Sequence, residues 1–120
     1  MRYQRLDNDV IIAKVRELAE KKKVFRDCNL TSKTVADEIG ISRSSLSSIV
    51  NSELGMTFTE YISRLRLEYA HEMMVDGEKN KSLEQISFLS GFSCPSSFYR
   101  QHKKIYGTSP KESIKLKHKR

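Results

Sequence analysis

A chain of 120 residues, 38% hydrophobic and 31% charged, has room for one domain or for two very small helical subdomains sharing a helix, and excludes two large domains. No apolar run approaches the roughly 20 residues that cross a bilayer, and the start MRYQRLDND lacks the apolar core of a secretory signal, so cytoplasmic residence is expected. A net charge of +7 implies a polyanionic partner, while Cys28 and Cys94 lack CxxC or Cys/His spacing and give no support to a disulfide framework or structural zinc.

From Asn8 to about Lys22, the positions Ile11, Val15 and Leu18 predict a first helix, with Asp7 or Asn8 as its cap. In TSKTVADEIG, after Leu30, Val35, Ala36 and Ile39 line one face of a second helix, and Gly40 supplies a left-handed stop. Ser42 caps a third, with Leu46, Ile49 and Val50 inward, Arg43, Ser44, Ser47, Ser48 and Asn51 outward, and Gly55 at its end. Thr57 and Glu60 have capping-box spacing, after which Phe58, Ile62, Leu65, Tyr69 and Met73 carry the longest helix to about Val75. The polar run DGEKNK, residues 76–81, reads as a turn or linker. Ser82 and Gln85 form another capping box before Ile86 and Leu89, and Gly91 stops this fifth helix. Pro95 suits the first turn of a sixth, with Phe98 and Ile105 inward and Gly107 at its end. Ser109, Pro110 and Glu112 announce a last short helix before the basic end KLKHKR. No segment alternates as a strand would, so the expected fold class is all-α, about seven helices.

The chain repeats itself. VADEIGIS at 35–42 corresponds to ISFLSGFS at 86–93, and Leu46 to Gly55 matches Phe98 to Gly107 at the same internal spacing. Each copy is a short helix, a glycine turn and a longer helix, which is helix-turn-helix grammar. The first helix braces the second, whose outer side enters the major groove, where every base pair shows a distinct donor and acceptor pattern. The expected layout is a helix-turn-helix subdomain at 8–55, a linker helix at 56–76, a second helix-turn-helix subdomain at 82–115 and a basic tail at 116–120.

VADEIGISRSSLSSIV, TFTEYISRLRLEYAHEMM and SLEQISFLSGFSCPSSFYRQHKKIYGTSP together resemble the AraC/XylS family of bacterial transcription regulators over roughly residues 8–115. The resemblance implies seven helices in two subdomains joined by a long helix, direct promoter binding, and activation by contact with RNA polymerase. The chain departs from the family pattern at Val50 and Asn51, where Phe and Lys are frequent, at His102 in place of Phe, and at Ser113 and Ile114 in place of Tyr and Arg. Within 120 residues there is no room for the N-terminal effector or dimerisation domain of many members. The chain therefore reads as a stand-alone regulator governed by abundance or as the C-terminal half of a longer one.

In the sixth helix Ser96, Arg100 and Lys103 share a face, with Ser97, Tyr99 and Lys104 at its edges. Arg100 is the candidate base reader, because a bidentate arginine on guanine discriminates by about 1–3 kcal/mol; Lys103 and Lys104 suit phosphates. In the third helix Ser44, Ser47 and Ser48 occupy the base-facing positions with Arg43 and Asn51 beside them, so this half-site is expected to be read weakly or through DNA shape. Against these stand plainer readings: a solvated polar face for the serines, and for Arg100 a phosphate contact or an ion pair with a Glu on a neighbouring helix. Met73 and Met74 read as core, Arg64 and Arg66 as phosphate contacts or solvated charges, and the basic tail as a nonspecific attractor or a solvated end. His71, His102 and His118 show no metal spacing, and no nucleophile, histidine and acid arrangement or phosphate-cradling loop is present. No cofactor, metal site or catalytic residue is expected, and His102 is expected to be a partly buried structural residue.

The expectation is thus a sequence-specific regulator, an activator acting on an asymmetric double-stranded site, with a monomeric DNA-binding unit, RNA polymerase as a further partner and no membrane. The alternatives are a helical adaptor acting through RNA polymerase or another regulator, and a low-specificity nucleic-acid binder. The linker helix, at about 1.5 Å per residue, spans roughly 27 Å, against about 34 Å between successive major grooves. Somewhat bent DNA or a tilted second unit would close the gap; bending is the expectation, and circular-permutation gel shifts should show mobility that depends on the position of the site.

Overall fold

The computed structural model describes residues 2–75 and 81–113, with side chains described from Asn8 onward. The run at 76–81, apart from Lys81, and the basic tail lie outside the described residues, as does His118. The chain forms α1 (Arg2–Arg16), α2 (Ser32–Ile39), α3 (Arg43–Leu54), α4 (Phe58–Val75), α5 (Leu83–Leu89) and α6 (Pro95–Tyr106). A seventh helix opens at Pro110, with residues 110–113 described. The described residues contain no strand, so the fold is all-α.

Most helix starts are set within four residues of chain. Thr31 and Thr34 cap α2 reciprocally, the Thr34 N–H donating to Thr31 Oγ1 at 3.2 Å and the Thr31 N–H to Thr34 Oγ1 at 3.1 Å. Thr57 and Glu60 do the same at α4, Ser82 and Gln85 at α5, and Ser109 and Glu112 at the last turn. Each box satisfies two N–H groups that the helix leaves without an internal acceptor. The first helix differs from expectation. Asp7 and Asn8 lie inside α1 rather than capping it, because RYQRL ahead of them holds no Gly, Pro or β-branched residue to stop the turn. At its other end the chain leaves α geometry at Glu17–Lys21 for a π turn, closed by Lys22 N–H on the Glu17 carbonyl at 3.0 Å.

The helices gather into two compact units, one built from the chain up to Phe25 with Asn29–Ile62, the other from Arg26–Cys28 with the chain from Ser63 on. In the first unit α2 and α3 pack on α1, burying Val15, Ala19, Val35, Ala36, Leu46, Ile49 and Val50, joined by Phe58, Tyr61 and Ile62 at the start of α4. The Tyr61 hydroxyl, half-sheltered, donates to Glu20 at 2.6 Å, which places a carboxylate over the end of α1. In the second unit Leu67, Ala70, Ile86, Phe92 and Phe98 form the core, with Met73, Met74, Leu83 and Ile105 packed on it.

The single stripe expected along α4 is in fact two. Phe58, Tyr61 and Ile62 are buried in the first unit, while the second buries Leu67 and Ala70, and Leu65 and Tyr69 are only half-buried. At about 100° per residue, Leu67 falls on the side of the helix away from Phe58. Leu89 is likewise 37% exposed, and Ser87 and Ser90 take the covered positions of α5, their hydroxyls turned back onto the Glu84 and Ile86 carbonyls at 2.7 Å each. A small side chain that satisfies its own hydroxyl fits a close helix contact that leucine would not.

Two substitutions separate turn geometry from core packing. Gly40 has φ +90°, and a Cβ added there would meet nothing within 4 Å, so Gly40→Ala is expected to cost only the left-handed backbone, about 1–2 kcal/mol. Leu46→Ala, at a fully buried position, should cost about 2–5 kcal/mol. Urea unfolding of the two variants measures both.

Candidate nucleic-acid interface

In the first unit, α3 is held from below by Leu46, Ile49 and Val50. Its start is fixed by Ser42, whose Oγ accepts from the Ser45 N–H at 3.0 Å and donates to Ser45 Oγ at 2.9 Å. With three positions pinned on one side, Arg43, Ser44, Ser47, Ser48 and Asn51 are all exposed on the other. At about 100° per residue they share an arc of roughly 140°. The face is polar, but apart from Arg43 its side chains are short.

In the second unit, α6 buries Phe98 and His102 completely. The Phe98 ring tilts against Phe92 at 5.3 Å between centroids and meets His102 edge-on at 6.0 Å. Opposite them Ser96, Tyr99, Arg100, Lys103 and Lys104 are exposed and Ser97 is half-buried, again on one arc of about 160°. The helix contains no acidic residue. Among the described residues no ion pair or hydrogen bond engages Arg43, Arg100, Lys103 or Lys104, so the ion pair weighed for Arg100 is not formed there. Lys103 and Lys104 also lie in the last turn of α6, where the helix dipole favours cations.

Other basic side chains are committed within the protein. Arg66 was expected at phosphate or in solvent. Its Nη2 instead donates to the Asp27 carbonyl at 2.9 Å and its guanidinium stands 6.0 Å from the Phe92 ring centre. Burial pushes its ionisation down, partly offset by Cys28 and Asp27, which marks an arginine drawn into the protein. Arg26 donates from Nε to the Leu89 carbonyl at 3.2 Å and lies over the Tyr69 ring at 5.1 Å. These two arginines hold residues 26–28 against the turn of the second helix-turn-helix, a role that residue type and spacing do not announce. His102 is also more deeply placed than expected, being wholly buried.

Cys94 occupies the cap position of α6. Its thiol is brought down to about 6, chiefly by the Ser96 hydroxyl at 3.1 Å, then by the Ser97 hydroxyl at 3.4 Å and the Ser97 backbone. As a thiolate at a helix start, Sγ accepts from these donors.

The chain is similar in sequence and fold to several known proteins. The helix-turn-helix domain family matches residues 35–115. LumQ of Photobacterium leiognathi, a probable transcriptional regulator, is 34% identical over 70 residues, which are 58% of this chain and 27% of LumQ. The chain thus spans about a quarter of that relative's length. The C-terminal domain of AraT, a response regulator from Geobacillus stearothermophilus, superposes with a TM-score of 0.81 at 26% identity, covering 88% of this chain and 84% of the other. The DNA-binding domain of AdpA, a global transcriptional factor solved with a target DNA, gives 0.74 at 16% identity over 88% of this chain and 90% of its own; that likeness is one of fold. No helix among the described residues is long and apolar enough to cross a membrane.

In Cys28→Ser protein the ultraviolet absorbance of the Cys94 thiolate is expected to titrate with a midpoint about 6, below the ordinary thiol value of about 8.5. Ser96→Ala should move the midpoint up; an unchanged midpoint in that variant would show that the hydroxyl does not act on the sulfur.

Proposed function

The chain belongs to the AraC-type helix-turn-helix domain family and is a DNA-binding transcription regulator of that type, and on that premise we propose that it reads an asymmetric double-stranded promoter site with α3 and α6 of one polypeptide and activates transcription through RNA polymerase. The observation that carries this is the outer face of α6, where Arg100, Lys103 and Lys104 stand exposed and unpaired among the described residues. A free guanidinium at the middle of a protruding helix can fork onto guanine O6 and N7. The flanking lysines neutralise phosphates and fix the register. Ser96, Ser97 and Tyr99 complete this surface.

The α3 face makes the site asymmetric. Ser44, Ser47 and Ser48 are exposed, yet a hydroxyl both donates and accepts and discriminates poorly between bases. Arg43 and Asn51 supply backbone or edge contacts, and this half-site is read weakly or by shape. Unlike readers on one chain remove the need for a symmetric dimer, so the DNA-binding unit acts as a monomer in the cytoplasm. The same serine face favours a second reading, in which the chain is an adaptor that acts mainly through RNA polymerase or another regulator.

Selection of bound duplexes from a random library at near-physiological salt separates the two. An enriched, asymmetric motif of about two helical turns supports the regulator; retention of DNA without any motif supports the adaptor or a low-specificity binder. On the selected site Arg100→Ala is expected to cost about 1–3 kcal/mol and relax preference at one base pair, while Lys104→Ala weakens all sequences alike and lowers the salt slope by about 1. Equal loss on every sequence for Arg100→Ala would remove its base-reading role.

A further inference from the structure

Among the cations and hydroxyls on the outer side of α6 stands an aromatic ring. Tyr99 is 36% exposed and is not among the residues that form the core of the second unit or pack on it. The other tyrosines of that unit are engaged, Tyr69 beneath the Arg26 guanidinium and Tyr106 against His71 and His102. Tyr99 makes one ring contact among the described residues, with the buried Phe98 at 5.7 Å between centroids and 38° between planes. Its hydroxyl bonds nothing among them. The ring is thus steadied from one side by a residue fixed in the core, and its outer edge stays open.

Tyr99 is the fifth residue of α6, and Arg100 follows it about 1.5 Å along the axis and about 100° around it. Base edges are read by the N-terminal part of such a helix. Ahead of Tyr99 the outward side chains, Ser96 and Ser97, are short, so Tyr99 and Arg100 are the first that can reach the floor of the groove. Base pairs rise by about 3.4 Å, so the two side chains meet positions within about two base pairs of each other. In the major-groove code the apolar group is the C5-methyl of thymine; the others are donors or acceptors. A ring edge laid on N7, O6, N4 or N6 strips water from a polar group and returns no hydrogen bond. Laid on the methyl, it removes apolar surface from water on both sides. The hydroxyl carries no such preference, since it donates and accepts alike and suits a phosphate as well as a base. On α3 the outward residues Arg43, Ser44, Ser47, Ser48 and Asn51 supply no ring.

We propose that Tyr99 is a specificity-determining residue whose exposed ring edge reads the methyl group of a thymine beside the guanine read by Arg100. The proposal rests on the reading of α6 as the base-contacting helix and adds to it a second base and the atom by which that base is recognised. The ring, not the hydroxyl, carries the discrimination. The α6 half-site is therefore methyl-dependent through Tyr99, and the α3 half-site is not.

The test is a deoxyuridine scan of the selected duplex with the full chain. Each thymine is replaced in turn by deoxyuridine, which keeps the pairing groups and O4 and lacks the methyl, and affinity is measured for wild type, Tyr99→Phe, Tyr99→Ala and Arg100→Ala. At one thymine, within about two base pairs of the position whose preference Arg100→Ala relaxes, the replacement should weaken wild type and Tyr99→Phe about fourfold, the effect of withdrawing one buried methyl. In Tyr99→Ala the thymine-to-deoxyuridine ratio should fall to about one, and in Arg100→Ala it should persist, as expected of a pairwise contact between Tyr99 and that base. A wild type indifferent to deoxyuridine throughout the α6 half-site overturns the proposal, and that result needs no variant to fold. A methyl effect that survives in Tyr99→Ala also overturns it, by placing another side chain on the thymine. So does a loss on every sequence in Tyr99→Phe without any methyl effect, which would put the hydroxyl on phosphate. In each of these cases a preference relaxed by Arg100→Ala leaves α6 standing as the reader. If Arg100→Ala and Tyr99→Ala both weaken all sequences alike, the reading of α6 as the base-contacting helix falls as well.

Discussion

A helix of twelve residues, the length of both α3 and α6, is too short to hold its shape or direction alone in water. Everything else in this protein answers to that constraint. Each such helix is pinned along one side, α3 by Leu46, Ile49 and Val50 and α6 by Phe98 and His102, and left bare along the other. The brace helices α2 and α5, the left-handed glycines and the caps serve to present a buried stripe to a small core while a polar stripe stays outside. What the outer stripe can recognise depends on how firmly the inner stripe is seated, because a side chain reaching a base edge inherits any looseness in the direction of the helix that carries it.

The cations divide accordingly. Arg26 and Arg66 are turned inward onto backbone carbonyls and aromatic rings, and Arg16 and Lys33 are spent on neighbours one helical turn away. Such exposed pairs contribute little to stability; their effect here is to withdraw charge from the surface. Arg43, Arg100, Lys103 and Lys104 keep theirs. A net charge of +7 does not reveal this division, which depends on tertiary neighbours.

Helix starts were legible because a capping box is a four-residue statement: Ser82 with Gln85 and Ser109 with Glu112 bond as their spacing predicts. The inward residues of α3 were legible for the same reason, one helix facing one core. The α4 stripe was misread because one helix serves two cores, and Leu89 because serine at 87 and 90 fits where an apolar period implies leucine. Asp7 looked like a cap only because nothing local said that the helix had already begun. Of the interface, the outward positions on α3 and α6 could be written down from periodicity, whereas the meeting of His71 with His102 and the inward turn of Arg66 could not, since each joins residues that only the fold brings together.

The second unit is not one stretch of chain. Residues 26–28 belong to it although their sequence neighbours belong to the first, and Arg26 holds the Leu89 carbonyl across 63 positions of sequence. A gene segment beginning after residue 62 would therefore encode α5, the turn and α6 but not the strap that closes over them. Moved as a cassette, such a segment would leave the Leu89 carbonyl without its Arg26 donor and the Arg66 guanidinium without the Asp27 carbonyl.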